Sequence, residues 1–300
     1  MKREFSSLDP TDDIAGRIAA LSPKKQELLR QKLTKKVVDG HTLVARSLKG
    51  LGVTHVYSVL GTPIGDTFAA CAKIGMRPIG VRHQQAGVMM ATAQNYVAGR
   101  LTAISILSAG PGVTNAATGI LVAKDNCWPL VVLGGRRPLN MQGMGSFQEL
   151  DAVPIFQSIT KWSALVEKTA QIPEYLDYAF HTATNGRPGP VYLDLPEDVL
   201  TETGSASEPC CTDVYEPPAA DTDAINQAAD ILLRAKRPAI IIGKGVRWSE
   251  PYEELQQLVN GLGIPFITSP MGQDISLTTI LSATTLRVVF FNLRPTPFCC

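Results

Sequence analysis

Between Thr42 and about Leu200 the chain repeats one pattern: a short apolar run, a glycine- or proline-marked turn, then a longer stretch with helical spacing. The runs are THVYSVL, RPIGVR, TAISILS, WPLVVLGG and PVYLDLP. Most are apolar throughout instead of alternating with polar residues, as strands are when helices cover both faces. Between them TLVARSLKGLG, IGDTFAACAKIG, QQAGVMMATAQNYVAG, VTNAATGILVAKDN and IPEYLDYAFHTATNG read as helices. Repeated strand–helix units predict an α/β fold, a parallel open sheet with helices on both faces and right-handed crossovers. RRPLNMQGMGSFQELDAVPIFQ is expected to cross the surface irregularly, and KWSALVE to add a short strand.

Residues 204–222 are rich in Thr, Ser, Pro, Ala and Asp and read as a linker. A second unit of the same kind then begins: helix DAINQAADILLRAKRP, strand AIIIG, turn KGVRW, helix EPYEELQQLVNGLG, strand IPFITSP. After Met271-Gly272 the pattern is lost. The expected division is therefore a leader at 1–36, a first domain at 37–203, the linker, and an incomplete domain with an irregular tail at 223–300. The chain reads as cut short. In the leader, LSPKKQELLRQKLTKK predicts a helix with Ser22 as N-cap and Pro23 at its first position.

Composition narrows the function. An apolar fraction of 45% with 18% charged residues belongs to a globular chain, and a net charge of +1 gives no basic field for nucleic acid. None of the six cysteines forms a CxxC pair, and the four histidines lack metal-ligand spacing. No apolar run approaches about 20 residues, and the start has no signal-type apolar core. A soluble cytoplasmic protein with reduced thiols, no nucleic acid and no membrane contact is expected.

In an open parallel sheet, ligands bind beyond the carboxyl ends of the strands. Four loops are expected to cluster there: Gly61-Thr62-Pro63, His83-Gln84-Gln85, Ser108 to Gly112, and Gly134-Gly135-Arg136-Arg137. Glycines there would let a ligand approach the backbone closely. GPGVTN keeps two glycines of a dinucleotide fingerprint but has Asn115 at the third, and GKGVRW fails at Trp248. No GxxxxGK[ST], GxSxG or HExxH occurs.

HVYSVLGTP, VRHQQAG, ILSAGPGVTNA, NCWPLVVLGG, MGSFQELDAV, TKWS and GRPGPVYLDLPEDV stand in the order found in thiamine-diphosphate-dependent enzymes. The chain resembles the branch containing acetolactate synthase, oxalyl-CoA decarboxylase and 2-hydroxyacyl-CoA lyase, from about Lys35 to Gly272. The resemblance implies a pyrimidine-binding domain at 37–203 and a middle domain begun at 223. It implies thiamine diphosphate with Mg²⁺ as cofactor, the Mg²⁺ site lying outside this chain because no GDG occurs in it. It implies a homo-oligomer or pairing with a complete enzyme subunit, and a 2-keto acid or acyl-CoA substrate. By the family pattern Gly61 and Pro63 lie near cofactor or substrate. Ser108, Gly110 and Gly112 surround the aminopyrimidine, and Phe147 and Gln148 line the wall. Arg136, Arg137, Lys244 and Arg247 are open to a carboxylate or CoA phosphate, and equally to plain solvation. The leader resembles helices that precede catalytic domains in modular peptide-synthesising assemblies, but reads better as a solvated helix resting on the body.

Gln84 is the departure. The family carries a glutamate there that shares a proton with the pyrimidine ring and so activates the cofactor. An amide only hydrogen-bonds, and losing a positioned acid–base group typically costs about 10²–10⁴-fold. Glyoxylate carboligase members of the family nevertheless lack this acid and still act. His83 reads as a hydrogen-bonding neighbour rather than a replacement base. The expectation is a carboligase, lyase or decarboxylase segment that is inactive alone, with a non-catalytic partner subunit as the alternative.

Overall fold

The computed structural model describes residues 21–26, 37–205 and 219–269. The first unit opens with strand β1 (Val37–Asp39) and helix α1 (Gly40–Gly50), whose N-terminus is capped by Asp39 Oδ1 accepting from Thr42 N at 2.7 Å. Then follow β2 (His55–Val59), α2 (Gly65–Lys73), β3 (Arg77–Gly80), α3 (Gln84–Ala98) and β4 (Ala103–Leu107). The short α4 (Pro111–Thr114) and α5 (Ala117–Asn126) lead to β5 (Leu130–Arg136). Beyond it come α6 (Val153–Gln157), β6 (Trp162–Leu165), α7 (Ile172–Thr184), β7 (Pro190–Pro196), α8 (Glu197–Thr201) and β8 (Thr203–Ser205).

Six of these strands form one parallel sheet in the order β3-β2-β4-β5-β7-β6. Every residue of β4, β5 and β7 is buried. Side-chain parity explains the continuous apolar runs. Ile104, Ile106, Val131, Leu133, Val191, Leu193 and Leu195 enter one core with α1, α2 and α7. Ala103, Leu107, Leu130, Val132 and Tyr192 enter the other, with α3, α5 and α6. Each strand thus feeds both faces, as expected of a parallel sheet between helical layers.

Helix α3 is tied to the sheet by a buried polar side chain. Asn95 donates to Ala103 O (2.9 Å) and Pro129 O (3.0 Å) and accepts from Thr102 N (2.9 Å) and Ala103 N (2.8 Å). All four hydrogen-bonding positions of the amide are used, so its burial carries no unpaired group. Gly99, at φ +67°, ends the helix.

Several features depart from the sequence-based expectation, three of them in the element order of the first unit. The helix predicted over 113–126 is broken at Asn115-Ala116. The irregular stretch 136–157 contains a 3₁₀ turn (Leu139–Met141) and α6. And β8 returns to pair antiparallel with β1, Val37 opposite Ser205, so this ribbon belongs to the first unit.

The second unit contains α9 (Thr222–Arg234), β9 (Ile240–Ile242), α10 (Val246–Ser249), α11 (Tyr252–Leu262) and β10 (Phe266–Thr268), with β9 and β10 parallel. The expected turn at KGVRW is largely α10. Lys244 Nζ donates to Asp125 O at 2.5 Å, and Arg247 donates to Tyr96 O at 2.9 Å and Val97 O at 3.2 Å. The Arg247 guanidinium also lies 5.4 Å from the centre of the Tyr96 ring. Residues 23–26 are helical, with Ser22 O accepting from Lys25 N and Gln26 N. The rest of the leader, most of the linker and the tail after Ser269 lie outside the described residues. No helix among the described residues is long and apolar enough to cross a membrane.

Candidate functional site

The loops after β2, β3 and β4 meet at the carboxyl edge of the sheet, around Ser108. Thr62 O accepts from Ala109 N at 3.0 Å, which joins the first loop to the third. A Cβ added to Gly61 would lie 2.7 Å from Ser108 Cβ, and one added to Gly112 would lie 2.2 Å from Ser108 Oγ. Neither position admits a larger residue without displacing Ser108. Ser108 itself is buried, while Gly61 and Thr62 face solvent.

Gln84 begins α3, and its half-buried side chain reaches into this cluster. The added Gly112 Cβ would stand 3.5 Å from Gln84 Nε2, and Asn115 Nδ2 donates to Gln84 Oε1 at 3.0 Å. Asn115 is available for this because the chain breaks between α4 and α5 at that residue. The break is tightened by Ala116 N bonding Val113 O. His83 is the N-cap of α3: its Nδ1 accepts from Gln85 N at 3.2 Å. That bond needs an unprotonated Nδ1 and leaves the ring a capping role. Gln85 is half-buried and directs its amide toward Met89 Sδ, 4.0 Å away. None of Gly61, Gln84, Ser108, Gly110, Gly112 and Asn115 is an acid, so the cluster offers hydrogen bonds and no side-chain proton exchange near neutral pH.

Gly110, at φ +59° and ψ −114°, is packed against the loop that follows β5. Its added Cβ would lie 2.8 Å from Gln148 O and 2.9 Å from Gln148 Cβ. Gln148 therefore reaches the rim of the cluster, whereas Phe147 stands 76% exposed beside it. Pro63 is buried and turned away from the opening, where its ring would meet a Gly135 Cβ at 2.4 Å.

Of the fourth expected loop only Arg137 lies outside a strand, in keeping with the strand run WPLVVLGG. Gly134, Gly135 and Arg136 are the last residues of β5, and all are buried. Their small size makes room for protein instead of ligand: a Gly134 Cβ would lie 2.0 Å from the Tyr192 hydroxyl. That hydroxyl donates to Asp194 Oδ1 at 2.8 Å, and Arg136 Nη1 bonds Asp194 Oδ2 at 3.0 Å and Asp151 Oδ1 at 2.9 Å. Burial pushes the Asp194 carboxyl up to about 6 despite these donors. Arg136, Asp151 and Asp194 thus pin both ends of the loop carrying Phe147 and Gln148. Arg137 pairs with Glu197 at 2.7 Å. With Lys244 and Arg247 engaged on helix ends, all four cations left open by the sequence have protein partners.

The sequence pattern did not single out Asn115 as a contact of Gln84, or the Tyr192–Asp194–Arg136 network. The signal for the first was Asn115 itself, polar where the dinucleotide fingerprint wants glycine. For the second it was an aspartate inside an otherwise apolar strand, PVYLDLP.

Residues 38–155 match the family model described as thiamine pyrophosphate enzyme, N-terminal TPP binding domain, and residues 225–279 match that of the central domain. Among similar proteins, 2-hydroxyacyl-CoA lyase 1 of Mus musculus is 34% identical over 244 residues, 79% of this chain and 41% of that protein. The 2-hydroxyacyl-CoA lyase of Arabidopsis thaliana is 34% identical over 79% of this chain and 43% of its own length. Acetolactate synthase isozyme 3 large subunit of Escherichia coli (strain K12) is 35% identical over 79% and 42%. The chain therefore spans about two fifths of the relatives it matches, 41–43% of each. With both domain models matched in order on a parallel α/β sheet, the chain belongs to the thiamine pyrophosphate-dependent enzymes, of which it carries the N-terminal TPP-binding domain and central-domain sequence.

Proposed function

We propose that residues 37–205 form the pyrimidine half of a thiamine diphosphate site. The site would belong to a carbon–carbon lyase, carboligase or decarboxylase acting on 2-keto or 2-hydroxyacyl compounds. The observation that carries this is the convergence of Gly61, Gln84, Ser108 and Gly112 on one point at the sheet's carboxyl edge. The residues suit a flat heteroaromatic amine: small backbone at Gly61 and Gly112, a hydroxyl at Ser108, and a primary amide at Gln84. They do not suit the metal–diphosphate end. No group of three or more His, Cys, Asp or Glu among the described residues could hold a metal, and no GDG occurs in the sequence. Mg²⁺ and diphosphate are therefore assigned to another polypeptide segment, in a homo-oligomer or a complete partner subunit, with cytoplasmic placement part of the same proposal.

Bound thiamine diphosphate supplies an electron sink for making or breaking a bond next to a carbonyl carbon. Gln84 orients the ring by hydrogen bonding, and Asn115 fixes the Gln84 amide through its Oε1. Gly110 carries Gln148 to the rim, with Phe147 beside it as the apolar wall on the substrate side. A second reading, a non-catalytic partner subunit, is favoured by one observation: the amide at 84 and its bond to Asn115 leave no proton-exchanging side chain in the cluster.

The placement is tested by NMR on the chain with 4-amino-5-hydroxymethyl-2-methylpyrimidine, the aminopyrimidine half of thiamine. The side-chain amide signals of Gln84 and Asn115 are expected to shift saturably, and a Gly112→Val variant to abolish the shift. Shifts confined to other residues, or unchanged in that variant, overturn the placement. Activity is separated by Gln84→Glu in a complete assembly. Cofactor C2-proton exchange accelerated by about 10²-fold or more supports an amide-silenced site; equal rates refute the importance given to Gln84.

A further inference from the structure

At the opposite end of the sheet, three strands along from β4, edge strand β6 and helix α7 enclose a groove of about 560 Å³. That is the size range of small-molecule sites. One wall is Trp162. The other is a stripe of α7, Glu174, Tyr178 and His181, flanked by Tyr175 and Asp177. Ile172, Leu176, Ala179 and Ala183 of the same helix are taken up by the core, so the lining residues lie on a second helix face. Trp162 meets Tyr178 edge to face, with centroids 4.7 Å apart and planes at 87°. It meets Tyr175 at 5.7 Å and 40°. All three rings line the one opening. Tyr178 remains 53% exposed.

Two carboxylates, Glu174 and Asp177, stand beside these rings, with His181 in the same lining, and none of the six lining residues is lysine or arginine. Asp177 Oδ1 is shielded from solvent and has no hydrogen-bond partner among the described residues. A shielded carboxylate oxygen without a donor is unfavourable by itself, and a cation above it would relieve that cost. Aromatic faces with adjacent carboxylates are the chemistry that selects an alkylated ammonium, whose diffuse charge is weakly hydrated and whose methyl groups pack on rings.

We propose that this groove binds a small quaternary or tertiary ammonium, seated on Trp162 and Tyr178 with its charge toward Asp177 and Glu174. The function is independent of the pyrimidine cluster.

Calorimetric titration of the full chain with choline tests it, with 3,3-dimethylbutan-1-ol as the neutral isostere. Saturable one-site binding is expected for choline, at least about tenfold tighter than for the alcohol. It is expected to weaken with added salt and by about tenfold in Asp177→Asn. Trp162→Leu should reduce it comparably, and Tyr178→Leu, at an exposed position, serves as the second aromatic variant should Trp162→Leu fail to fold. Absence of choline binding, equal binding of the alcohol, or unchanged choline affinity in Asp177→Asn and Tyr178→Leu would each overturn the proposal.

Discussion

The two units are built from the same strand–helix grammar and end in different states of burial. In the first, β4, β5 and β7 are buried at every residue, because helices cover both faces of a six-stranded sheet. In the second, among the described residues, two three-residue strands pair with each other only, Ile241 is 73% exposed, and α9 has no buried residue although Ile225, Ile231 and Leu233 punctuate it. Apolar content is similar; neighbours are not. A parallel pair is stable when layers close over it, and an isolated pair of short strands is marginal in water. Among the described residues, the second unit meets the first through Lys244 and Arg247 on backbone carbonyls, with Trp248 edge-on to Tyr96 at 6.1 Å.

The comparison is sharpened most by breaking the buried network of the first unit. Arg136→Met leaves Asp194 buried without its cation and should lower unfolding free energy by about 3–5 kcal/mol at neutral pH, read from urea denaturation. The loss should shrink in acid. The Asp194 carboxyl sits at about 6, above its ordinary 3.8, so the folded state takes up that proton more readily than the unfolded one. Stability linked to this group therefore rises as pH falls from about 7 toward 4, and Asp194→Asn should remove that slope. Next in size, Leu133→Ala in β5 should cost about 2–5 kcal/mol, since Leu133 is fully buried. Arg247→Met should leave the first unit's transition in place. It should raise amide exchange across 222–269, by an amount corresponding to about 1–2 kcal/mol for lost charge-assisted hydrogen bonds. Smallest, Ile231→Ser on α9 should change stability by less than about 0.5 kcal/mol. A loss of more than about 2 kcal/mol there would mean that the α9 face is covered, and would erase the contrast.

Much of this was legible in the chain. The order of strands and helices follows from apolar runs whose two parities both find a core, and PVYLDLP coincides with β7 residue for residue. Gly61, Ser108 and Gly112 come together because parallel topology puts successive strand ends on one edge. What escaped depends on contacts distant in sequence. The break at Asn115 accompanies a bond to Gln84, 31 residues away. The β1–β8 ribbon joins three-residue strands from the two ends of the unit, too short to show a period. Gly134 and Gly135, the end of the run WPLVVLGG, were expected to face a ligand because local pattern cannot register the Tyr192 ring and Pro63, which occupy the space their missing side chains leave. Arg136 looked available for a ligand for the same reason, its two aspartates lying 15 and 58 residues onward.

Helix α3 carries Gln84 at its first turn and offers the carbonyls of Tyr96 and Val97 to Arg247 at its last. Fifteen residues at about 1.5 Å each make a rod of roughly 22 Å, clamped near its far end by Asn95. The same rod therefore joins the seat of the second unit, at the Tyr96 and Val97 carbonyls, to the turn that presents Gln84.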